Sequence, residues 1–179
     1  MKHRLFFAVD FREEVKAELY DHAVRFAEPI GLKVTPPEKL HITVRFLGDT
    51  DEAVIPSIID NTRFLSEFTG MPCTFTKLGF FYRNRLPSVF YIHCEVSPEF
   101  MELTRKLELE VNALGFPGEG KRFIPHLTYS RLKRDPGKYF MTEVLSAAPL
   151  NIETEVEKAV LFKSELQRTG AVYTVLKQY

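Results

Sequence analysis

The sequence predicts an α+β fold of two pseudo-symmetric lobes, each an antiparallel-rich sheet with helices on the outside, around a central cleft. Three observations carry that prediction. The stretch Leu40-His41-Ile42-Thr43-Val44-Arg45-Phe46-Leu47-Gly48 sorts at the two-residue period of a strand into an apolar face (Leu40, Ile42, Val44, Phe46) and a polar one (His41, Thr43, Arg45). A second stretch, Phe123-Ile124-Pro125-His126-Leu127-Thr128-Tyr129-Ser130-Arg131, repeats the His-x-Thr arrangement, with His126, Thr128 and Ser130 on one face. The flanks repeat as well. Gly31-Leu32 stands 10 residues before His41 and Gly115-Phe116 stands 11 before His126; Arg85-Leu86-Pro87-Ser88-Val89-Phe90-Tyr91 is echoed by Arg168-Thr169-Gly170-Ala171-Val172-Tyr173-Thr174. The histidines are 85 residues apart and the echoes 83, which reads as an internal duplication within one bilobal domain over residues 1–179, its second repeat starting near residue 97.

In chain order, Leu5 to Val9 is an apolar run suited to a buried strand, and Asp10 with Glu13 has the spacing of a capping box. The helix that follows carries Val15, Leu19, His22 and Phe26 on one stripe and ends before Pro29-Ile30-Gly31, with His22 read as a packing histidine. After the first motif, Gly48-Asp49-Thr50 turns the chain into a helix with Val54, Ile55, Ile58, Ile59 and Leu65 inward, begun or kinked at Pro56. Strands at about 73–81 and 89–96 are joined by a polar turn over 82–88, and His93 reads as an ordinary strand residue.

Ser97 is a candidate N-cap with Pro98 in the first turn, and Phe100, Leu103, Leu107, Val111 and Leu114 form the helical stripe up to Gly115. A helix near 138–147, an alternating strand from Leu150 through Phe162 and a last strand from Ala171 to Leu176 complete the chain. Each half thus reads helix, motif strand, helix, strand, strand, with no linker between.

Composition excludes several classes. At 179 residues and 45% hydrophobic content the chain buries a substantial core and is not disordered. Zero formal charge argues against diffuse binding to long nucleic acid, which rests on many phosphate contacts. Charge is nevertheless uneven: Lys121, Arg122, Arg131, Lys133 and Arg134 flank the second motif without an acid before Asp135, and Lys77, Arg83 and Arg85 form another acid-free set. Cys73 and Cys94 lack metal-ligand spacing, which predicts neither a zinc site nor a disulfide framework. The opening apolar run is too short for a signal peptide and no segment is long enough to span a membrane, so the expectation is a soluble, cytoplasmic monomer.

Side chains two apart on a strand share a face with about 6.6 Å between their α-carbons, so a histidine and a threonine can flank one tetrahedral group. Two such strands would surround that group with two imidazoles and two hydroxyls. One imidazole can take a proton from a nucleophile while the other gives one to the leaving oxygen. Thr43 and Thr128 can donate to phosphoryl oxygens, and Arg45 or Arg131 can add charge. A phosphodiester fits this set, with no cofactor and no metal. A serine hydrolase elbow, a phosphate loop and a dinucleotide fingerprint are all missing from the sequence. Two core histidines in a duplicated scaffold remain the bland alternative, and a metal bound by both is a further one.

In these contexts the paired His-x-Thr motifs resemble the two-histidine (2H) phosphoesterase superfamily, and within it the RNA 2′,3′-cyclic phosphodiesterases, also called 2′-5′ RNA ligases. The opening Arg4-Leu5-Phe6-Phe7-Ala8-Val9-Asp10, the later Leu161-Phe162-Lys163-Ser164-Glu165-Leu166 and Val172-Tyr173 match the same family pattern, so the resemblance spans nearly the whole chain. It implies hydrolysis of a terminal 2′,3′-cyclic phosphate on RNA, tRNA fragments included, to a 2′-phosphate. It implies His41 as the acid that protonates the 3′ oxygen and His126 as the base that activates water, with Thr43 and Thr128 on the phosphoryl oxygens. Arg131 takes the family's basic position, which in a regular strand faces away and so calls for a bulge or the strand's end. Phe46 is assigned to stacking on the terminal base, against its place on the apolar face. The resemblance also implies joining of RNA ends through a 2′-5′ linkage without a nucleotide cofactor. Two alternatives stand beside it: an RNA-end binding module without turnover, and a phosphodiesterase for a small cyclic phosphate.

Overall fold

The computed structural model describes every residue except Glu119, Lys121 and Thr169; Lys121 of the basic flank and Thr169 of the C-terminal echo therefore lie outside the described residues. Strand β1 (Lys2–Asp10) holds the buried run Leu5 to Val9 and leads into helix α1 (Glu13–Ala27). The expected capping box does not form. Arg12 occupies the cap position without a side-chain bond, and Asp10 instead accepts from the Phe11 N–H (2.9 Å) and pairs with Lys16 at 3.2 Å. Helix α1 buries Leu19, Ala23 and Ala27, passes into a 3₁₀ turn at Glu28–Ile30 and stops at Gly31, whose φ of +63° is the left-handed geometry that glycine adopts without strain.

Strand β2 (Ile42–Asp51) follows directly on His41, and helix α2 (Ile55–Asn61) begins with Pro56 in its first turn rather than kinking there. Strands β3 (Pro72–Arg83) and β4 (Leu86–Val96) form a longer hairpin than the sequence predicts. The expected seven-residue turn shrinks to Asn84-Arg85, both at positive φ (51° and 65°), because a two-residue turn of that hand matches the twist of the strands it joins. Helix α3 (Pro98–Ala113) is capped as expected: the Ser97 hydroxyl accepts from the Phe100 N–H at 3.2 Å. Strand β5 (His126–Arg131), helix α4 (Lys138–Ser146) and strands β6 (Ile152–Glu155), β7 (Lys158–Gln167) and β8 (Gly170–Gln178) complete the fold. The single strand expected from Leu150 through Phe162 is two strands in different sheets, parted at Val156, whose N–H and carbonyl bond Met71 and Gly70.

The strands form two four-stranded antiparallel sheets, in the orders β2-β1-β7-β8 and β5-β4-β3-β6. Each sheet takes two strands from each half of the chain, so a cut near residue 97 would divide both. The reason is local: β1 has β2 on one edge and β7 on the other, while the tight hairpin keeps β3 with β4 and delivers β4 to β5. One face of each sheet feeds a common core, with Leu5, Phe7, Val9 and Ile42 from the first and Phe75, Phe90, Ile92 and Leu127 from the second. Helices α1, α3 and α4 cover it with Leu19, Phe100, Leu107, Phe140 and Val144. The opposite faces carry the motif histidines. Among the described residues no helix is long and apolar enough to cross a membrane.

Candidate active site

Each motif strand carries a bulge three residues after its histidine, and these two bulges decide which side chains come out beside the histidine; β2 carries a second one at Leu47. In β2, Thr43 pairs with Ala8 and Arg45 with Phe7, leaving Val44 without a partner. In β5, Thr128 pairs with Tyr91 and Ser130 with Phe90, leaving Tyr129 without one. An unpaired residue reverses the alternation beyond it. The fourth residue after each histidine, Arg45 and Ser130, is thereby turned into the protein, and the fifth, Phe46 and Arg131, comes out beside the histidine.

This corrects two expectations of regular alternation. Phe46 leaves the apolar face: it is 37% exposed, and its ring lies 5.6 Å from that of Phe6, which stacks at 5.2 Å on His41. Arg45 leaves the polar face and is 7% exposed. Its Nε lies 2.5 Å from Glu108 of α3, and its guanidinium donates to the carbonyls of Phe46, Phe116 (3.3 Å) and Pro117 (2.7 Å). Arg45 is a fastening between β2 and the segment after α3, not a group of the cleft. Ser130 does the same from the other side, its hydroxyl donating to the Lys33 carbonyl at 2.7 Å, and the Thr35 N–H donates to the Tyr129 carbonyl at 2.7 Å.

His41 and Thr43 meet directly, Nε2 to Oγ1 at 3.1 Å. The imidazole is enclosed by Phe6, Phe162 (5.9 Å between ring centres) and Tyr173 (5.5 Å, edge-on). Burial pushes its pKa down to about 4; Asp10 and a hydrogen bond to the Lys39 carbonyl oppose that shift, while Lys16 and Arg131 add to it. His126 donates from Nδ1 to the Ile124 carbonyl at 2.6 Å, which leaves Nε2 as the free nitrogen. Its ring stands edge-on to Phe81 (4.7 Å) and Tyr91 (5.4 Å). Burial lowers its pKa, the Ile124 carbonyl opposes, and Arg131 and His93 lower it further. Both histidines are thus held by the carbonyl two residues earlier and both are neutral at pH 7.

Arg131 joins the two halves. It is exposed at the end of β5, and its charge acts downward on His41, His126 and Tyr173 alike, which places it near all three. Thr128 is half-buried on the His126 face, opposite Tyr91. Among the described residues no three His, Cys, Asp or Glu side chains converge as a metal site.

Sequence reasoning missed the aromatic walls. Phe6, Phe162 and Tyr173 around His41 lie inside segments that match the family pattern, yet the unbroken apolar run of β1 hides which of its residues face the cleft. His93, read as ordinary, stands directly across from His126 in the register of β4 and β5. Tyr91 lies over Gly79 so closely that a Cβ there would come within 2.8 Å of its ring.

A sequence profile of the 2′-5′ RNA ligase superfamily matches residues 13–168. The chain is 32% identical to the RNA 2′,3′-cyclic phosphodiesterase of Thermotoga maritima, over 97% of this chain and 92% of that one. It is 31% identical to the RNA 2′,3′-cyclic phosphodiesterase of Thermus thermophilus, over 98% and 89%. Its fold superposes on the crystal structure of TT0787 of Thermus thermophilus with a TM-score of 0.81 and 30% identity, covering 98% and 96% of the two chains. The Escherichia coli LigT structure complexed with 3′-AMP shares the fold at a TM-score of 0.78 and 21% identity, over 100% of this chain and 98% of that one. The profile match over residues 13–168 and the 32% identity over 97% of the chain, on a fold that carries two His-x-Thr strands, make this chain a member of the 2′-5′ RNA ligase superfamily.

Proposed function

We propose that the protein hydrolyses terminal 2′,3′-cyclic phosphates on RNA to 2′-phosphates by metal-independent acid–base catalysis between His41 and His126. The observation that supports this reading is the pairing of two imidazoles, each with a threonine two residues on, across a cleft in which Arg131 acts on both rings. The cyclic phosphate sits between them. Thr43 and Thr128 donate to its two non-bridging oxygens, and Arg131 offsets the charge that grows there. His126 Nε2, freed by the Ile124 bond on Nδ1, takes a proton from water as the water oxygen attacks phosphorus. The P–O3′ bond breaks, His41 protonates O3′, and the product carries a 2′-phosphate and a free 3′-hydroxyl.

Because His41 is neutral in the free protein, its proton arrives with the substrate: the phosphodiester anion stabilises the imidazolium next to it and reverses the effect of burial. Phe46, exposed beside Phe6, stacks on the terminal base. The reverse reaction, with an RNA 5′-hydroxyl in place of water, forms a 2′-5′ linkage at the same groups. The enzyme acts as a monomer in the cytoplasm on RNA ends such as tRNA fragments, where the free, buried thiols of Cys73 and Cys94 are at home.

The test is turnover of a short RNA bearing a 2′,3′-cyclic phosphate, in the presence of chelator, by wild type, His41→Ala and His126→Ala. Wild type releases a 2′-phosphate, and each variant falls by roughly a hundredfold or more. A 3′-phosphate product would reverse the leaving group; binding of the RNA end without turnover would make the protein a binding module.

A further inference from the structure

The chain is neutral overall, but its charge is segregated. No Asp or Glu occurs from Phe68 through Cys94 or from Gly120 through Arg134, and those stretches hold eight of the 24 lysines and arginines, so the rest of the chain is net acidic. The first stretch folds as the β3–β4 hairpin and the second runs into β5, its neighbour in the same sheet. Lys77, Arg83, Arg85, Arg131, Lys133 and Arg134 are all exposed, and none has an ion-pair partner among the described residues.

Register places these cations in relation to the site. Arg131 pairs with Val89, which pairs with Phe81, and Phe81 packs on His126. Arg83 follows Gly79 and Phe81 at two-residue steps along β3 and so shares the His126 face, while Lys77 lies in the bulge between Phe75 and Leu78. Beyond Phe81 the hairpin projects Tyr82, which is 53% exposed. Arg85 sits at the tip at φ 65°, a position where glycine is favoured and a side chain costs stability, yet a cation stands there.

We propose that this face of the second sheet, from Arg131 through Arg83 to the Arg85 tip, is the track for the single-stranded RNA upstream of the terminal cyclic phosphate. Its cations bind the upstream phosphates alongside the stacked rings of Phe81 and Tyr91, which pack on His126. Aromatic side chains interleaved with cations in an acid-free groove are the features that hold single strands without sequence readout. The first sheet complements it: the face around His41 is lined by Phe6, Phe46, Phe162 and Tyr173 and so suits the terminal nucleoside. This inference rests on the phosphodiesterase reading for the position of the RNA end, and it makes the enzyme selective for oligonucleotides over cyclic mononucleotides.

The experiment compares wild type with the double variant Arg83→Ala/Arg85→Gly, which removes two cations and leaves the Asn-Gly pair that such a turn prefers. The substrates are a nucleoside 2′,3′-cyclic monophosphate and an octanucleotide ending in the same nucleotide. Wild type shows a KM for the octanucleotide about tenfold or more below that for the mononucleotide. The variant erases that difference, keeps kcat/KM on the mononucleotide, and lowers the salt slope of octanucleotide binding by about 1.4, for two lost phosphate contacts on a single strand. Equal KM values in wild type, or an unchanged octanucleotide KM in the variant, would overturn the track. If wild type hydrolyses neither substrate, the phosphodiesterase reading fails, and the track is decided separately by fluorescence anisotropy with an octanucleotide ending in a 2′-phosphate: weaker binding by the variant supports it and unchanged binding sinks it. Tighter binding of the same sequence as a duplex would also overturn it.

Discussion

The two motif strands use one backbone device for two chemical ends. In each, a bulge falls three residues after the histidine, the fourth residue turns inward as a fastening, and the fifth turns outward beside the histidine. At the first strand the outward residue is Phe46 and its surroundings are aromatic; at the second it is Arg131 and the cations gather on its sheet. The inward residues differ in the same way: a charged Arg45–Glu108 pair on one side and a neutral Ser130–Lys33 carbonyl bond on the other. Symmetry of the backbone therefore sets where groups stand, and the residues at equivalent positions give one sheet an aromatic surface and the other a cationic one.

The largest expected effect tests the fastenings. Glu108→Gln takes the negative charge from a carboxylate that faces a guanidinium only 7% exposed, and weakening a buried ion pair in this way costs about 3 kcal/mol. Ser130→Ala removes one neutral hydrogen bond and costs about 1 kcal/mol. Urea unfolding of the two variants reads the difference; equal losses would mean that the charged fastening on one side is worth no more than the neutral one on the other.

An effect of similar size separates the two histidines by pH. The native pKa of His41 is about 4, below the ordinary 6.5 that the unfolded chain regains. Above 6.5 both states are neutral and the native state keeps its full stability. As the pH falls toward 4 the unfolded chain takes up a proton that the folded one refuses, and about 3 kcal/mol is lost across that window. His126 shifts in the same direction, so its contribution has the same sign. His41→Gln should therefore lose less stability than wild type between about pH 7 and pH 4, measured as the difference in urea midpoints; identical losses would show that burial of the ring is not what lowers its pKa.

Much of this was legible in the residues. The helical stripes, the Ser97 cap and the Gly31 and Gly115 stops are local signals, and the structure realises them locally. The repeated His-x-Thr was legible because it is a short polar interruption in an apolar strand. What sequence concealed were effects of register. A bulge is a property of two strands at once, so no count along β2 alone could move Arg45 inward and Phe46 outward. The break at Val156 was hidden because the residues on both sides keep a two-residue alternation even though they serve different sheets. Phe6 was hidden because both of its neighbours are apolar too. The sorting of β7 and β8 with β1 follows from long-range pairing, which periodicity does not encode.

The smallest effect isolates the second half of the site. Tyr91 crosses β3 at Gly79, where there is no side chain to lift it, and its ring stands 5.4 Å from that of His126. Gly79→Ala places a Cβ 2.8 Å from the Tyr91 ring and displaces it, which changes its packing against His126. His126 keeps its Ile124 bond, so the imidazole stays while its packing changes. A displaced catalytic group typically loses reach rather than chemistry, and a fall in kcat of about tenfold, equivalent to about 1.4 kcal/mol, is expected. Among the described residues the rings around His41 and those around His126 share no ring contact, so the pH-dependent stability assigned to His41 should be untouched. A variant with full kcat would show that Tyr91 does not position His126; one that lost the acid lability of His41 as well would show that the halves are mechanically coupled and that the division between them is less sharp than their chemistry implies.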